Sequence, residues 1–502
     1  SAFNFAPRVY LAWSPDGGGG RQAKTDIRLG FGLFYDRVGE NVALQVERLG
    51  GAGLQRQYVV SDLTLLDPSL LQGLAFTAGG GVVNSLTAAR LEAFSQPLAT
   101  RRLAPDATAP YSYISGLLMT RQLTKTTTFN LFFSTYDTRH LLRSRNVNAP
   151  LVNEVGRLLR DPEGGLIVVR PQGALGDINQ FETSGTQSMK QLNLGLTKQF
   201  RPGFSLTANY TVGKAMSDAD FGGFPANQYD LSGEYARTSF DSRHRFIMFA
   251  SLAVPKLKLS LNPMIIANTG RPFNIITGND DNRDGVINDR PAFADSRTVA
   301  CAPGQRPGNL NDPAPCGLVQ TRFGNFDLLP KPGQTVVPRN YAQGPGFFSV
   351  NLRVGRTFAF GDLPGAAERR RVAKEQEQQQ QQQRGGRGSR GGGDRSSSRG
   401  GNTTAAAPPG GPTRGPIQGG MAGGPMMIMM GAPGGTEGKR YSLNFSLNFT
   451  NLLNRTNYGQ PVGNLRSTFF GQSLAPAGSF GFGGGNPNAG NRRVQASVRF
   501  NF

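Results

Sequence analysis

The sequence predicts an all-β fold, an antiparallel transmembrane β-barrel, and three observations predict it. Apolar and polar residues alternate over stretches of about ten residues, the length that crosses a bilayer as a tilted strand. In 502 residues there are 68 Gly and 33 Pro, which punctuate the chain too often for long helices. No run approaches the ~18 consecutive apolar residues of a membrane helix, and the opening SAFNFAPRVY lacks the basic start and apolar stretch of a signal peptide. Any contact with a membrane therefore runs through strands. Apolar residues make up 37 % of the chain and mean hydropathy is −0.35, so no large conventional core is advertised, yet 33 Phe and 12 Tyr are too many for a disordered chain.

Eleven strands follow from the alternation. The first, 3–14, carries Phe3, Phe5, Val9, Leu11 and Trp13 on one parity, and the second, 25–36, carries Ile27, Leu29, Phe31, Leu33 and Tyr35. Strands 111–121 and 127–137 meet near Lys125. Strand 189–201, with Leu192, Leu194, Leu196 and Phe200, turns at Arg201-Pro202-Gly203 into 204–214, where Phe204, Leu206, Ala208, Tyr210 and Val212 alternate with Ser205, Thr207, Asn209 and Thr211. Strands 243–254 and 257–268 meet at Pro255-Lys256, and 347–360 runs from Phe348 to Phe360 in the same rhythm. The clearest are 440–453, with Tyr441, Leu443, Phe445, Leu447 and Phe449, and 492–502, with Val494, Ala496, Val498, Phe500 and Phe502. Strands of a soluble sandwich usually span about five or six residues, so length favours the membrane fold. The off-parity residues are small or polar, as a wet lumen requires, and Phe and Tyr near strand ends suit an aromatic girdle.

The connections sort into two kinds. Short links lie at one end, with a longer Gly-rich one at 14–25, and long segments at 37–110, 138–188, 215–242, 269–346 and 454–491 lie at the other. This is the asymmetry of periplasmic turns and extracellular loops. The exception is 361–440, periplasmic by parity, which divides the barrel into 1–360 and 441–502. It is rich in Gln, Arg, Gly and Met, carries twelve basic and six acidic residues, and has no period that could bury a core. It reads as a disordered insertion. Its Arg-Gly repeats at Arg384, Arg387 and Arg390 also suit RNA, Met421, Met426, Met427, Met429 and Met430 suit Cu(I), and its basic run suits anionic lipid. An odd count of eleven strands implies that barrel sequence precedes Ser1, unless a further strand lies in 37–110, for instance around Asn41 to Arg48.

The net charge of +21 would attract nucleic acid, anionic lipid or lipopolysaccharide alike. Cys301 and Cys316 are the only cysteines, lie in a Pro/Gly/Asn-rich stretch without nearby His, and are read as a disulfide or two free thiols. His140 and His244 are read as polar rim residues.

The segments FAPRVYLAW, IRLGFGLFYDR, ANYTVGKAMSD, FDSRHRFIMFASLAVP, TGRPFNIITGNDDNRDGVINDRPAF and the closing NFTNLLNRTNYGQP and RRVQASVRFNF carry a resemblance. They resemble the carboxyl-terminal barrel of TonB-dependent receptors of the Oar-like group. The resemblance implies a bacterial outer-membrane location, a plug and TonB-contacting segment upstream of Ser1, and loops that capture an unknown ligand. It also implies contact with outer-membrane lipid and lipopolysaccharide. The ending at Phe500 and Phe502 resembles the signal read by the barrel assembly machinery.

One motif has chemistry of its own. Asp280, Asn282, Asp284 and Gly285 follow the first half of a calcium loop, in which alternate oxygen side chains converge on a hard cation and Gly permits the sharp turn. The twelfth position is Pro291, so Asp289 would have to replace the bidentate carboxylate. Ca2+ and a solvated Asx-rich turn both remain open. No paired nucleophile and base, P-loop, zinc spacing or Rossmann glycines occur, which argues against an enzyme. The leading function is the barrel of a TonB-dependent transporter. The alternatives are a surface or adhesion barrel that transports nothing, and a nucleic-acid-binding protein acting through the Arg-Gly segment.

Overall fold

A computed structural model describes residues 4–17, 23–50, 99–163, 165–173, 176–219, 223–303, 305, 307–308, 316–362, 439–477 and 489–502, together with the strand pair Ala75–Phe76 and Val82–Val83. Eleven strands form the wall, which we number β1 Arg8–Trp13, β2 Thr25–Tyr35, β3 Tyr111–Thr124, β4 Thr127–Asn146, β5 Ile178–Arg201 and β6 Phe204–Ser217, then β7 His244–Val254, β8 Leu259–Asn268, β9 Phe347–Asp362, β10 Lys439–Thr450 and β11 Arg493–Asn501. Each pairs with the next in sequence in one antiparallel meander. Such order is the simplest for strands joined alternately by hairpins and long loops.

The register aligns the apolar parity across neighbours. Leu261 faces Val354, Val354 faces Leu447, and Leu447 faces Ala496. On the other face, polar side chains bond across strands: Asn193 Nδ2 donates to Thr211 Oγ1 at 2.7 Å, and Thr357 Oγ1 to Asn444 Oδ1 at 2.6 Å. A one-residue slip would exchange these two faces, so the pattern fixes the register. At the short-turn end the apolar face carries aromatic contacts. Phe200 stacks on Phe204 at 4.5 Å, Tyr441 on Phe500 at 5.9 Å, and Phe500 on Phe502 at 6.2 Å.

Three boundaries differ from the sequence reading. β1 starts at Arg8, because Pro7 has no N–H to give the ladder; its carbonyl still accepts from Leu33 N–H at 3.0 Å. β4 and β5 continue well past 137 and begin well before 189, their ladder extending in polar sequence beyond the apolar rows. The stretch around Asn41 to Arg48, weighed as a further strand, is instead the helix α1, Glu40–Leu49. Val42, Leu44 and Val46 alternate as a strand would, but only Val42 is buried, and Glu40 and Arg48 sit where they complement the helix dipole. The low-complexity reading of 361–440 falls almost wholly at 363–438, outside the described residues.

At the long-loop end the connections fold together. Phe273, Ile275, Phe326, Leu328, Val337 and Ala342 from the β8–β9 connection and Leu465 from the β10–β11 connection form one buried apolar core. Phe293, Val319, Phe323 and Phe470 pack around it. Burying a side chain such as Phe326 or Ile275 contributes about 1.5–3 kcal/mol, enough to order loops that would otherwise be tethers. Short strands complete the module: Ala292–Phe293, Leu318–Thr321 and Gly324–Asp327 form a three-stranded sheet.

Candidate functional site: the aspartate loop and its neighbours

The aspartate motif is built from tight backbone turns against three other connections. Asp280 accepts N–H groups of Asp284 and Gly285, both at 3.0 Å, and Asn282 Oδ1 accepts the Asp284 N–H at 3.0 Å. Asp284 Oδ1 accepts from Val286 N–H at 2.9 Å. These are Asx turns, in which short side chains replace backbone acceptors. Gly285 has φ +88°, a conformation that side chains with a Cβ rarely adopt. At Gly278, φ +91°, an added Cβ would run into Asn464 Oδ1, so this glycine lets the β8–β9 and β10–β11 connections touch.

Partners from distant sequence complete the site. Gln228 Nε2 donates to Asp284 Oδ2 at 2.6 Å, and Asn282 Nδ2 donates to the same oxygen at 3.2 Å. Asn146, at the tip of β4 and fully buried, donates through Nδ2 to Asp177 Oδ1 and to the Asp284 carbonyl, both at 2.9 Å. Its own N–H donates to Gln228 Oε1 at 2.9 Å. Arg157 reaches Asp281 at 2.5 Å and the Leu328 carbonyl at 3.2 Å, while Arg170 pairs with Asp177 at 2.7 Å. Arg290 is bonded to Glu234 and to the Gly233 carbonyl, the latter at 3.0 Å. Sequence reasoning found the motif but none of these partners. Their signal is tertiary, since a lone Asn, Gln or Arg in a long loop has no period to mark it.

Burial governs the electrostatics. Desolvation pushes Asp284 up to about 6 and Asp289 up to about 8, outweighing the donors and the Arg157 charge that favour ionisation. Asp280 is raised for the same reason. The oxygens of Asp280, Asn282 and Asp284 and that of Asp289, which accepts the Asp281 N–H at 2.8 Å, each accept a protein donor. Among the described residues no three His, Cys, Asp or Glu side chains are grouped to hold a metal ion. The four residues come together in one hydrogen-bonded turn.

The remaining sequence-selected residues lie apart from it. Cys301 and Cys316 are joined as a disulfide with Cα atoms 4.9 Å apart, in the β8–β9 connection. His140 sits in β4 with φ +58°, its Nδ1 3.1 Å from the Thr183 carbonyl, and His244 opens β7 with Nδ1 2.7 Å from Tyr210 Oη. Both are rim positions. Phe500 and Phe502 stand at the short-turn end, Phe502 95 % exposed.

The wall, its two-faced alternation and its loop module agree with a comparison against protein families, in which an outer membrane beta barrel domain matches residues 1–364. This chain belongs to the outer-membrane β-barrel domain family. It is a protein of the bacterial outer membrane, and the apolar face of the β-barrel wall is the lipid face. No curated protein matches the sequence. Among solved structures, the outer-membrane transporter YddB from Escherichia coli has 7 % identity and a TM-score of 0.39, covering 70 % of this chain and 34 % of that one. The FrpB iron transporter from Neisseria meningitidis has 8 % and 0.37, covering 99 % and 39 %, and the siderophore receptor PirA from Acinetobacter baumannii 10 % and 0.34, covering 71 % and 35 %. At such scores these likenesses carry no argument alone, and the β-barrel chain spans little more than a third of their length.

Proposed function

We propose that this chain is the barrel portion of a TonB-dependent receptor, non-enzymatic, whose long-loop end faces outward and captures a ligand that then passes through a plugged lumen. The observation that carries the reading is the loop module. Its apolar core and buried Arg157–Asp281 and Arg290–Glu234 pairs make a preformed surface on the wall, which a capture device needs and a mere connection does not. The Oar-like assignment rests on the TGRPF and DGVINDRP segments, the first of which pairs Pro272 and Phe273 with Gln343 and Ala342 while the second forms part of the aspartate turns. Coupling to TonB is assigned to a plug and a TonB-contacting segment like those of the receptors it resembles. Arg143, Arg145, Arg157, Arg170 and Arg290 are each ion-paired to carboxylates, so these five cations are not left to attract nucleic acid.

The test uses the complete reading frame expressed in its own envelope. Energised cells should yield a site-specific crosslink between this protein and TonB, and the crosslink should vanish when the proton gradient is collapsed. A protein that never contacts TonB would be the surface or adhesion barrel instead.

A further inference from the structure

Charge is distributed differently in the loops and on the lumen-facing side of the wall. β6, β7, β8, β10 and β11 contain no Asp or Glu, and β9 has only Asp362, its last residue and on the lipid-facing parity. The opposite parity of these strands carries Arg245, Arg353, Arg493 and Arg499. Arg245 stands between Thr211 and Asn268 near the long-loop end. Asn262, Arg353, Asn448 and Gln495 form a second lumen-facing row, and Thr357, Asn444 and Arg499 a third, nearer the short turns. About 20 Å of strand separate the first row from the second, and about 13 Å the second from the third. Arg353, Arg493 and Arg499 are exposed and make no ion pair among the described residues, whereas Arg143, Arg157 and Arg290 at the long-loop end are paired with carboxylates.

The neutral groups of this face bond one another: Asn193 with Thr211, Thr357 with Asn444, and Ser446 Oγ with Ser497 Oγ at 2.6 Å. What remains on offer is a set of guanidiniums at intervals along the lumen. A cation would meet like charge at each level and no counter-charge. An apolar molecule would strip water from Asn, Thr and Arg side chains and give nothing back. A hydrophilic solute bearing carboxylate or phosphate groups gains a charge-assisted contact at each level, because the guanidinium fork matches both groups through paired N–H donors. We propose that the lumen side of β6 to β11 is an anion path, and that the ligand is a hydrophilic solute carrying carboxylate or phosphate groups that Arg353 and Arg499 receive in turn. The inference rests on the reading of the lumen as the route of the ligand.

The experiment reads the charge of the lumen directly. Asn262→Cys puts a thiol opposite Arg353, the only free one in these 502 residues because Cys301 and Cys316 are joined. Purified full-length protein in neutral detergent is treated with a sulfonate-bearing or a trimethylammonium-bearing methanethiosulfonate, each rate being normalised to that with 2-mercaptoethanol. The anionic reagent should be favoured. Adding Arg353→Gln should lower that preference about tenfold, since one charge ~6 Å away in water changes the two rates about threefold in opposite directions. Arg353→Lys should keep the preference, and tripolyphosphate should slow modification where sucrose does not. Heat-dependent gel migration first verifies that each variant is a folded barrel. No preference for the anion, a preference unchanged by Arg353→Gln, or no protection by tripolyphosphate would overturn the anion path. A thiol that neither reagent reaches would overturn it too, because the row would then be packed against protein and not open to a ligand. A failed charge test with an intact TonB crosslink overturns this inference alone, whereas a passed one without the crosslink overturns the transporter reading and leaves an anion-binding lumen.

Discussion

Asp284 and Asp289 are carboxyl groups placed where ionisation is costly, and this gives the aspartate loop a pH response with a definite sign. A folded loop that holds protons an unfolded loop would release is most stable in acid. That stability is fully present below the ordinary Asp range near 3.8 and is lost as pH rises through about 6 for Asp284 and about 8 for Asp289. The protection factors of residues 275–293, taken relative to the intrinsic exchange rate at each pH, should therefore be higher at pH 5 than at pH 8.5, and Asp284→Asn should flatten the lower step of the profile. The calcium question is settled by the same region. Protease cleavage of the loop should be equal with calcium and with chelator in the parent, and Asp284→Ala should raise cleavage equally in both. Protection that appears only with calcium would show a bound cation instead. Asn146 is the residue whose loss spreads furthest, because its side chain and N–H bind two other connections. Replacing it with Ala strands buried groups and should lower the stability of the loop module by about 1–3 kcal/mol.

At the scale of elements, the core of the loop module and the last strand can be tested independently. Phe326→Ala leaves a cavity and should destabilise the module by about 3–5 kcal/mol, seen as faster proteolysis of 269–346 with the wall's heat-modifiable migration unchanged. Deleting Phe502 should lower the folded amount in the outer membrane if the ending guides assembly, whereas unchanged levels would reduce it to lipid-facing packing. Every wall strand was legible from sequence, because a lipid face and a wet face impose a two-residue period that a single chain must display. What stayed illegible has the same cause. The outer halves of β4 and β5 are covered by the loops in place of lipid, with polar residues such as Arg143, Asn146, Gln180 and Glu182 buried there, so Asp137 to Asn146 and Ile178 to Ser188 show no alternation to read. The helix α1 was misread as a possible strand because Val42, Leu44 and Val46 imitate the period. The core around Ile275 and Phe326 was invisible because its members are brought together from separated turns.

For the whole molecule, the two-faced wall predicts recovery in the outer-membrane fraction and a gel shift on boiling. Recovery in the soluble fraction without that shift would contradict the β-barrel. A tag at Gly308, in the long β8–β9 connection, should be labelled in intact cells, and one at Gly391 should be shielded. The protruding ribbon of β4 and β5 has a further consequence, one of height. From Ile178 to Ser188 the ladder runs 11 residues past the last apolar rows, about 36 Å of strand at the usual rise. That pair is an extension of the wall itself, and the connections around it pack against it. Asn146 at its tip fastens the aspartate loop to the top. The aspartate loop is thus carried by the wall's own strands, so its distance from the membrane is set by strand length and not by the reach of a tether.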